Sequence, residues 1–262
     1  MEQLNCSIYK YGKFKDLERT LLKQTLGFSK LDSLNDPFEA SYNYIHFFST
    51  LERADSFDNA RIGKGPEWQH RKEVISKIDS KLKKIVVTCF TQQPTEPLMW
   101  AHYAENHTGV CYCFDSDTLI FEEKFKRKDV QYSNKVPELL YFENSTTDDH
   151  LECFLPNVVC TKSDAWAYEK EIRFFGNSSE TSHSFKPSSL KAVILGCRVN
   201  KEQEEKAKQL IEKANKSNNT NIKLLFAIKD DGFYHMNIRK TKIKKHQISS
   251  VCCIPEEPLF PG

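Results

Sequence analysis

Residues 166–175 carry the alternating pattern that most constrains how this chain can fold. In a β-strand, successive side chains point to opposite faces, so Glu169, Glu171 and Arg173 share one face of a predicted strand. Ile172 and Phe174 point the other way and are expected to pack on a core. The charged face must then line either solvent or a cleft.

Trp166 and Tyr168 stand at the entry to this strand, where a flat ligand ring could stack on them. The alternative is an amphipathic strand on which Glu171 and Arg173 pair in solvent and contribute little to stability. The segment alone leaves both interpretations open.

The composition indicates a globular protein without a strong overall charge. The chain has 262 residues, and its 38 basic and 36 acidic residues give a net charge of +2, so no general attraction to nucleic acid or membrane is expected. The first residues lack a basic region followed by an apolar run, and no segment approaches the ~18 apolar residues of a membrane span. We therefore predict a cytoplasmic protein with no membrane partner.

The cysteines and histidines do not indicate a metal site. The nine cysteines include no pair of Cys-x-x-Cys motifs at zinc-site spacing, so we expect them to be reduced and mostly buried. His102 and His107 are five positions apart, which is poor spacing for two ligands on one helical face. We predict that no metal is bound.

The periodicity of the chain predicts an α+β fold: one domain over residues 1–262, with a central mixed or antiparallel sheet flanked by helices. Ile85–Thr91 is the clearest core strand, and Asn35-Asp36-Pro37 is typical of a turn. Residues 50–68 are predicted to be a loop or lid. Other strands are expected at 6–11, 26–30, 110–114, 125–132, 170–175, 191–196, 222–228 and 233–239, and helices at 16–25, 66–84, 98–104, 136–160 and 201–215.

Common catalytic signatures are absent from the sequence. It contains no Gly-x-Gly-x-x-Gly, no Gly-x-x-x-x-Gly-Lys-Ser/Thr and no His-Glu-x-x-His. This excludes dinucleotide-binding Rossmann, P-loop and zincin assignments.

His102 lies on a predicted helix among aromatic residues, and a buried imidazole there needs a hydrogen-bond partner. It is either a structural core histidine or a site residue. As a site residue it should turn toward Glu169 and Glu171, while Trp100 on the same helix should be largely buried.

Four motifs occur in order along the chain. They are Tyr9-Lys10-Tyr11, Leu34-Asn35-Asp36-Pro37-Phe38-Glu39, Cys89-Phe90-Thr91 followed by 98–104 and Gly109-Val110, and Trp166-x-Tyr168-Glu169-x-Glu171-x-Arg173. Together they resemble a bacterial family of unknown function, the DUF2971 family, over roughly residues 8–196. Where many members have an arginine after the first motif, this chain has Gly12. The remainder, 197–262, is predicted to be a C-terminal strand–helix–strand extension.

A second resemblance is to the ADP-ribosyltransferase fold. Those enzymes have a first strand with a basic or polar NAD-contacting residue, a central strand with a hydroxyl residue and a later strand with Glu-x-Glu. This chain offers Lys10 or Tyr11, then Thr88 or Thr91, then the two glutamates, in that order. The resemblance implies NAD as a substrate.

The same resemblance implies roles for the acidic residues. Breaking the nicotinamide–ribose bond passes through a cationic sugar, which Glu171 would stabilise, while Glu169 would accept a proton from the incoming nucleophile. Because two nearby carboxylates repel each other, one pKa should rise. The expected catalytic residues are Glu171, Glu169 and His102, and the expected NAD-contacting residues are Lys10, Tyr11, Thr91, Trp100, Tyr103, Tyr168 and Arg173.

Three hypotheses follow. The first is an NAD-consuming ADP-ribosyltransferase or glycohydrolase that acts as a toxin-like effector against phage or rival bacteria. The second is a non-catalytic module that binds a ligand or partner in an aromatic and acidic cleft. The third is a nucleic-acid-acting protein, for which the basic runs 124–128 and 239–246 are the only arguments. In the first hypothesis, residues 239–246 could dock a protein or nucleic-acid acceptor, and otherwise they are a solvated sheet edge.

Overall fold

The computed structural model describes residues 7–46, 66–119, 121, 125–141 and 148–242. Most of the predicted loop at 50–68, Lys124 and the end of the basic segment, 243–246, lie outside the described residues. Each described cysteine is a free thiol: Cys111, Cys113 and Cys160 are buried, and Cys153 is exposed.

The sequence forms strands where β-branched and aromatic residues alternate or run together. The strands are β1 (Ser7–Gly12), β2 (Thr25–Gly27), β3 (Ser29–Lys30), β4 (Asn43–His46), β5 (Ile85–Thr91), β6 (Val110–Asp115), β7 (Lys126–Asp129), β8 (Gln131–Tyr132), β9 (Glu138–Tyr141), β10 (Thr161–Lys162), β11 (Glu171–Asn177), β12 (Ser182–Ser184), β13 (Leu190–Leu195), β14 (Lys223–Lys229) and β15 (Met236–Arg239).

Five α-helices and several short 3-10 turns connect the described strands. The helices are α1 (Leu17–Lys23), α2 (Pro66–Leu82), α3 (Pro97–Tyr103), α4 (Asp148–Val159) and α5 (Lys201–Asn218). Helix α3 begins with a proline at its first position, and α5 begins with a capping box at Asn200 and Gln203.

The main sheet has the strand order β15-β14-β13-β6-β1-β5-β11-β7, and β3 pairs with part of β5. Its pairs are antiparallel except for β13 and β14, which are parallel and joined through α5. The prediction of an α+β chain with a mixed central sheet is confirmed.

Two predictions about the secondary structure are wrong. Residues 136–160 are not one helical region, because β9 occupies Glu138–Tyr141 before α4 begins. The description of residues 197–262 as strand, helix, strand is also wrong, because the described order after residue 197 is helix, strand, strand. That order agrees with the separate predictions of a helix at 201–215 and strands at 222–228 and 233–239. Both C-terminal strands extend the main sheet through β13, so this segment is continuous with the sheet.

Both faces of the sheet are covered by apolar clusters. Ile172, Phe174 and Phe90 belong to the cluster that includes residues of α1 and α5. On the opposite face, α2 and α4 pack around Phe175, and α3 packs around Tyr11. The charged side chains of β11 lie on this second face, which therefore holds the candidate site.

Candidate functional site

A cluster of five ionisable side chains is buried on the second face of the sheet. It contains three carboxylates and two cations, which gives a net charge of −1 when all are ionised. Each side chain is at most 4% exposed. Its members are Glu39, Lys162, Glu169, Glu171 and Arg173.

Arg173 is the centre of this ion cluster. Its guanidinium binds both oxygens of Glu39, at 2.8 and 2.7 Å, and both oxygens of Glu171, at 2.8 and 3.1 Å. It also donates to the backbone carbonyl of Val159. Burial alone would raise the pKa of Glu171, but the adjacent Arg173 lowers it to about 2. Glu171 is therefore held as a carboxylate.

Lys162 and Tyr103 bind the carboxylate of Glu169. The Lys162 ammonium lies 2.7 Å from Glu169 Oε2, 3.5 Å from Glu171 and 3.7 Å from Glu39. The Tyr103 hydroxyl donates to Glu169 Oε1 at 2.6 Å and accepts from Asn35 at 2.9 Å. Burial raises the pKa of Glu169, although Lys162 opposes the shift. The two neighbouring carboxylates thus have pKa values shifted in opposite directions, as is common at sites of acid–base chemistry.

Glu169 reaches the cluster from outside the strand, which corrects the prediction that it shares a strand face with Glu171. It is the last residue of a 3-10 helix at Asp164–Glu169, and β11 begins only at Glu171. Between them, Lys170 has a left-handed backbone with φ 42°. The Thr91 hydroxyl donates to the Glu169 carbonyl and fixes this turn against β5.

A cavity of about 400 Å³ opens beside the cluster. It lies in the size range of small-molecule sites. Seven of the ten predicted site residues line it: Lys10, Tyr11, Thr91, Tyr103, Glu169, Glu171 and Arg173.

Trp100 does not line the cavity. The prediction that it is largely buried is confirmed, since it is 0% exposed, donates from Nε1 to the Pro94 carbonyl at 2.8 Å and packs edge-on against Tyr11. The expectation that it contacts NAD is wrong, because the side chain has no exposed surface. Tyr168 is half-buried against Trp166 and also lies outside the cavity lining.

His102 is exposed and lies outside the cavity lining. The prediction that it turns toward the carboxylates is wrong, because Met99, Trp100 and Tyr103 occupy the inner face of α3. Its ring lies 6.3 Å from that of Trp166, measured between centroids.

Three contributors to the site were missed in the sequence. Asn35 was interpreted only as part of a turn, and Glu39 only as part of the motif at 34–39. The presence of that motif in the same family resemblance as the two-glutamate motif was the available signal. Lys162 follows helix α4 on the short strand β10 and had no recognisable signal.

A family model matches part of the chain in the comparisons with known proteins. The model of a family described as protein of unknown function (DUF2971) matches residues 99–174, which run from α3 into β11 and include Tyr103, Lys162, Glu169 and Arg173. The match supports the family resemblance predicted from the motifs. No curated protein and no solved structure matches the chain significantly. No described helix is long and apolar enough to cross a membrane.

Proposed function

We propose that the protein is an NAD-consuming enzyme that breaks the bond between nicotinamide and ribose. One observation carries the proposal: the strands with Lys10 and Tyr11, with Thr91 and with Glu171 are consecutive neighbours β1, β5 and β11. These residues are some 80 positions apart along the chain and line the same cavity. They are the elements on which the resemblance to ADP-ribosyltransferases rests.

The chemistry assigns separate tasks to the two acidic residues. As the bond from the ribose anomeric carbon to the nicotinamide nitrogen breaks, its electrons leave with neutral nicotinamide and positive charge develops on the sugar. Glu171, ionised beside Arg173, would stabilise that charge in a site that excludes most water. A water or acceptor nucleophile would then bond to the anomeric carbon.

Glu169 is the proposed base for that nucleophile. Its two oxygens accept from Tyr103 and Lys162, and each carboxylate oxygen keeps a second lone pair for a further bond. Its raised pKa suits proton transfer better than the lowered pKa of Glu171. The proton of the attacking water or acceptor would pass to Glu169. His102 has no part in this proposal, because it is exposed.

The test is release of nicotinamide from NAD, measured by chromatography. We expect release by the unmodified protein, and a loss of at least about 100-fold in Glu169→Gln, the range typical of a catalytic base. Glu202→Gln, an exposed glutamate on α5, is the matched control and should retain full activity. Near-ultraviolet circular dichroism checks that each variant is folded. Release by folded Glu169→Gln at the normal rate would overturn the assignment of the base.

A second candidate function is a non-catalytic ligand-binding module. It is favoured by the pairing of both Glu171 oxygens with Arg173, which neutralises much of the charge that a cationic sugar would need. In this case calorimetry would detect binding of NAD or ADP-ribose, while no nicotinamide would appear. The first proposal includes an acceptor bound at residues 239–246 only if transfer of ADP-ribose to that acceptor is observed. Hydrolysis of NAD alone requires no such acceptor.

A further inference from the structure

Asn35 is separated from the proposed base by a single hydroxyl group. Its side-chain nitrogen lies 2.9 Å from the Tyr103 hydroxyl, and that hydroxyl lies 2.6 Å from Glu169 Oε1. All three residues line the cavity. The proposed reaction assigns no step to Asn35, so the purpose of this chain of contacts is a separate question.

The direction of the two hydrogen bonds follows from the protons that are available. An ionised carboxylate can only accept, so the bond to Glu169 uses the single hydroxyl proton of Tyr103. The Tyr103 oxygen then has only lone pairs left to offer. Asn35 must therefore present its NH₂ group to Tyr103, and not its carbonyl. Both donors of the chain thus point toward the negative charge of Glu169.

Protonation of Glu169 would weaken this chain whichever way its bonds run. If the Tyr103 hydroxyl keeps its direction, it donates to a neutral carboxyl group. If it turns, it accepts from that carboxyl group and donates to the carbonyl of Asn35. Bonds between neutral groups are about half as strong as bonds to an ionised acceptor. Asn35 therefore stabilises the ionised form of Glu169 more than the protonated form.

The backbone beside Asn35 is anchored, although the residue itself is exposed. The next residue, Asp36, is 4% exposed, and its Oδ1 accepts from the Phe38 amide at 3.0 Å. Glu39 in turn is bound through both oxygens by Arg173. An amide on an anchored loop loses little further conformational entropy when it makes a hydrogen bond.

We propose that Asn35 is a positioning residue for Glu169: acting through Tyr103, it favours the ionised carboxylate that can accept a proton from the nucleophile. Its effect opposes that of burial, which favours the protonated form of Glu169. The inference rests on the proposed function for the reaction itself, and it adds a residue that acts on the base through another side chain.

The test is an NMR titration of the Glu169 side-chain carboxyl in protein that contains isotopically labelled glutamate, without NAD. The signal is assigned by its absence from Glu169→Gln. Asn35→Ala removes the donor and should increase the proton affinity of Glu169 about two- to fivefold, an effect of the size expected for one hydrogen bond. The control is Asn221→Ala, an exposed asparagine after α5 and outside the cavity lining, which should leave this affinity unchanged.

A double-mutant cycle tests whether Asn35 acts through Tyr103. Tyr103→Phe removes the hydroxyl that joins the two residues, so adding Asn35→Ala to it should not change the proton affinity of Glu169 any further. Should Asn35→Ala fail to fold, Asn35→Asp carries the test, because it keeps the side-chain size. Asn35→Asp replaces the donor by an acceptor that competes for the Tyr103 proton, and it should increase the proton affinity of Glu169 by more than Asn35→Ala.

The rate of nicotinamide release distinguishes this role from a merely structural one. Asn35→Ala should be slower than the unmodified protein below the midpoint of its pH profile and equally fast above it, because more of Glu169 is protonated only at low pH. A deficit of the same size at every pH would overturn the positioning role.

Two results of the NMR titration would also overturn it. The first is the same proton affinity of Glu169 in Asn35→Ala and in the control. The second is an equal effect of Asn35→Ala with and without the Tyr103 hydroxyl. If Asn35→Ala changes this affinity but the unmodified protein releases no nicotinamide, the proposed function alone is rejected. Release of nicotinamide with an unchanged affinity rejects the positioning role alone.

Discussion

The guanidinium of Arg173 binds both carboxylate oxygens of Glu39, although the two residues are 134 positions apart in the sequence. This bidentate pair attaches the loop after the 3-10 turn at Leu31–Ser33 to strand β11. Because both side chains are almost completely buried, their interaction is only weakly screened by solvent. The loop therefore forms one wall of the cavity in a fixed position.

Removing Glu39 should strongly destabilise the protein. Glu39→Ala leaves the buried Arg173 with Glu171 as its remaining carboxylate partner, and breaking such a pair costs about 3–5 kcal/mol. The free energy of unfolding, measured in urea, checks this. Glu202→Ala on the exposed face of α5 should stay within about 0.5 kcal/mol of the unmodified protein. Equal stability of the two variants would show that Arg173 does not depend on Glu39.

The sequence predicted the elements of the site better than their contacts. The strand at Ile85–Thr91 and the alternation of Ile172 and Phe174 away from Arg173 depend on local residue patterns, and both are found. The predicted position of Glu169 was wrong, because no residue pattern indicated that Lys170 adopts a left-handed backbone and that the strand begins only at Glu171.

Long-range partners were not predictable from local patterns. Lys162 bridges Glu169 and Glu171 because β10, the following 3-10 helix and β11 bring these residues together in the fold. The direction of the His102 side chain depends on which face of α3 packs on the sheet. Met99 and Trp100 are buried on the packed face because their apolar area is larger, and His102 is therefore left on the exposed face.

The pH dependence of stability should contain a contribution from Glu171. Its pKa is lowered from 4.5 to about 2, so its stabilisation is present above pH 4.5 and is lost as the pH falls through about 2. Glu171→Gln should therefore be less stable than the unmodified protein at pH 6, and its stability should depend less on pH between 2 and 4.5. Urea unfolding at several pH values measures both. Parallel pH profiles for the two proteins would contradict the assignment.

The rate of nicotinamide release should increase with pH as Glu169 loses its proton. Its pKa is raised, and a base must be unprotonated to act, so activity should increase with pH through a midpoint above 4.5. Tyr103→Phe removes one hydrogen bond to the ionised form and should shift this midpoint upward. The rate as a function of pH, at saturating NAD, is the measurement. An unchanged midpoint in Tyr103→Phe would argue against Glu169 as the titrating group.

The basic segment should behave as a solvated sheet edge. Arg239 ends the edge strand β15 and Lys240 follows it, and both are exposed, while Lys242 already pairs with Glu204 at 2.9 Å. Charged residues of this kind prevent edge-to-edge pairing of sheets. We therefore expect little binding of duplex DNA at low salt, measured by fluorescence anisotropy.

A nucleic-acid role predicts a different result. Phosphate contacts from four cations of this segment, Arg239, Lys240, Lys244 and Lys245, would give a slope of log affinity against log salt of about −3.6. Replacing Arg239 and Lys240 by glutamine would then reduce the slope by about half. Replacing the exposed Lys206 and Lys213 on α5 is the matched control and should leave it unchanged.

Thr91 and Thr88 allow a direct comparison within one strand, since both are buried on β5 but only Thr91 is hydrogen-bonded. Its hydroxyl donates to the Glu169 carbonyl and accepts from the Gln93 amide, whereas Thr88 has no partner among the described residues. Thr91→Val should lower stability by about 1–3 kcal/mol, because it leaves a buried carbonyl and amide unpaired. Thr88→Val should be neutral or stabilising.

Thermal melting measures this difference, and about 1 kcal/mol corresponds to roughly 2–4 °C in a protein of this size. Thr91→Val should therefore melt several degrees below the unmodified protein, and Thr88→Val should not melt below it. Equal losses in the two variants would mean that Thr88 has an internal partner in solution.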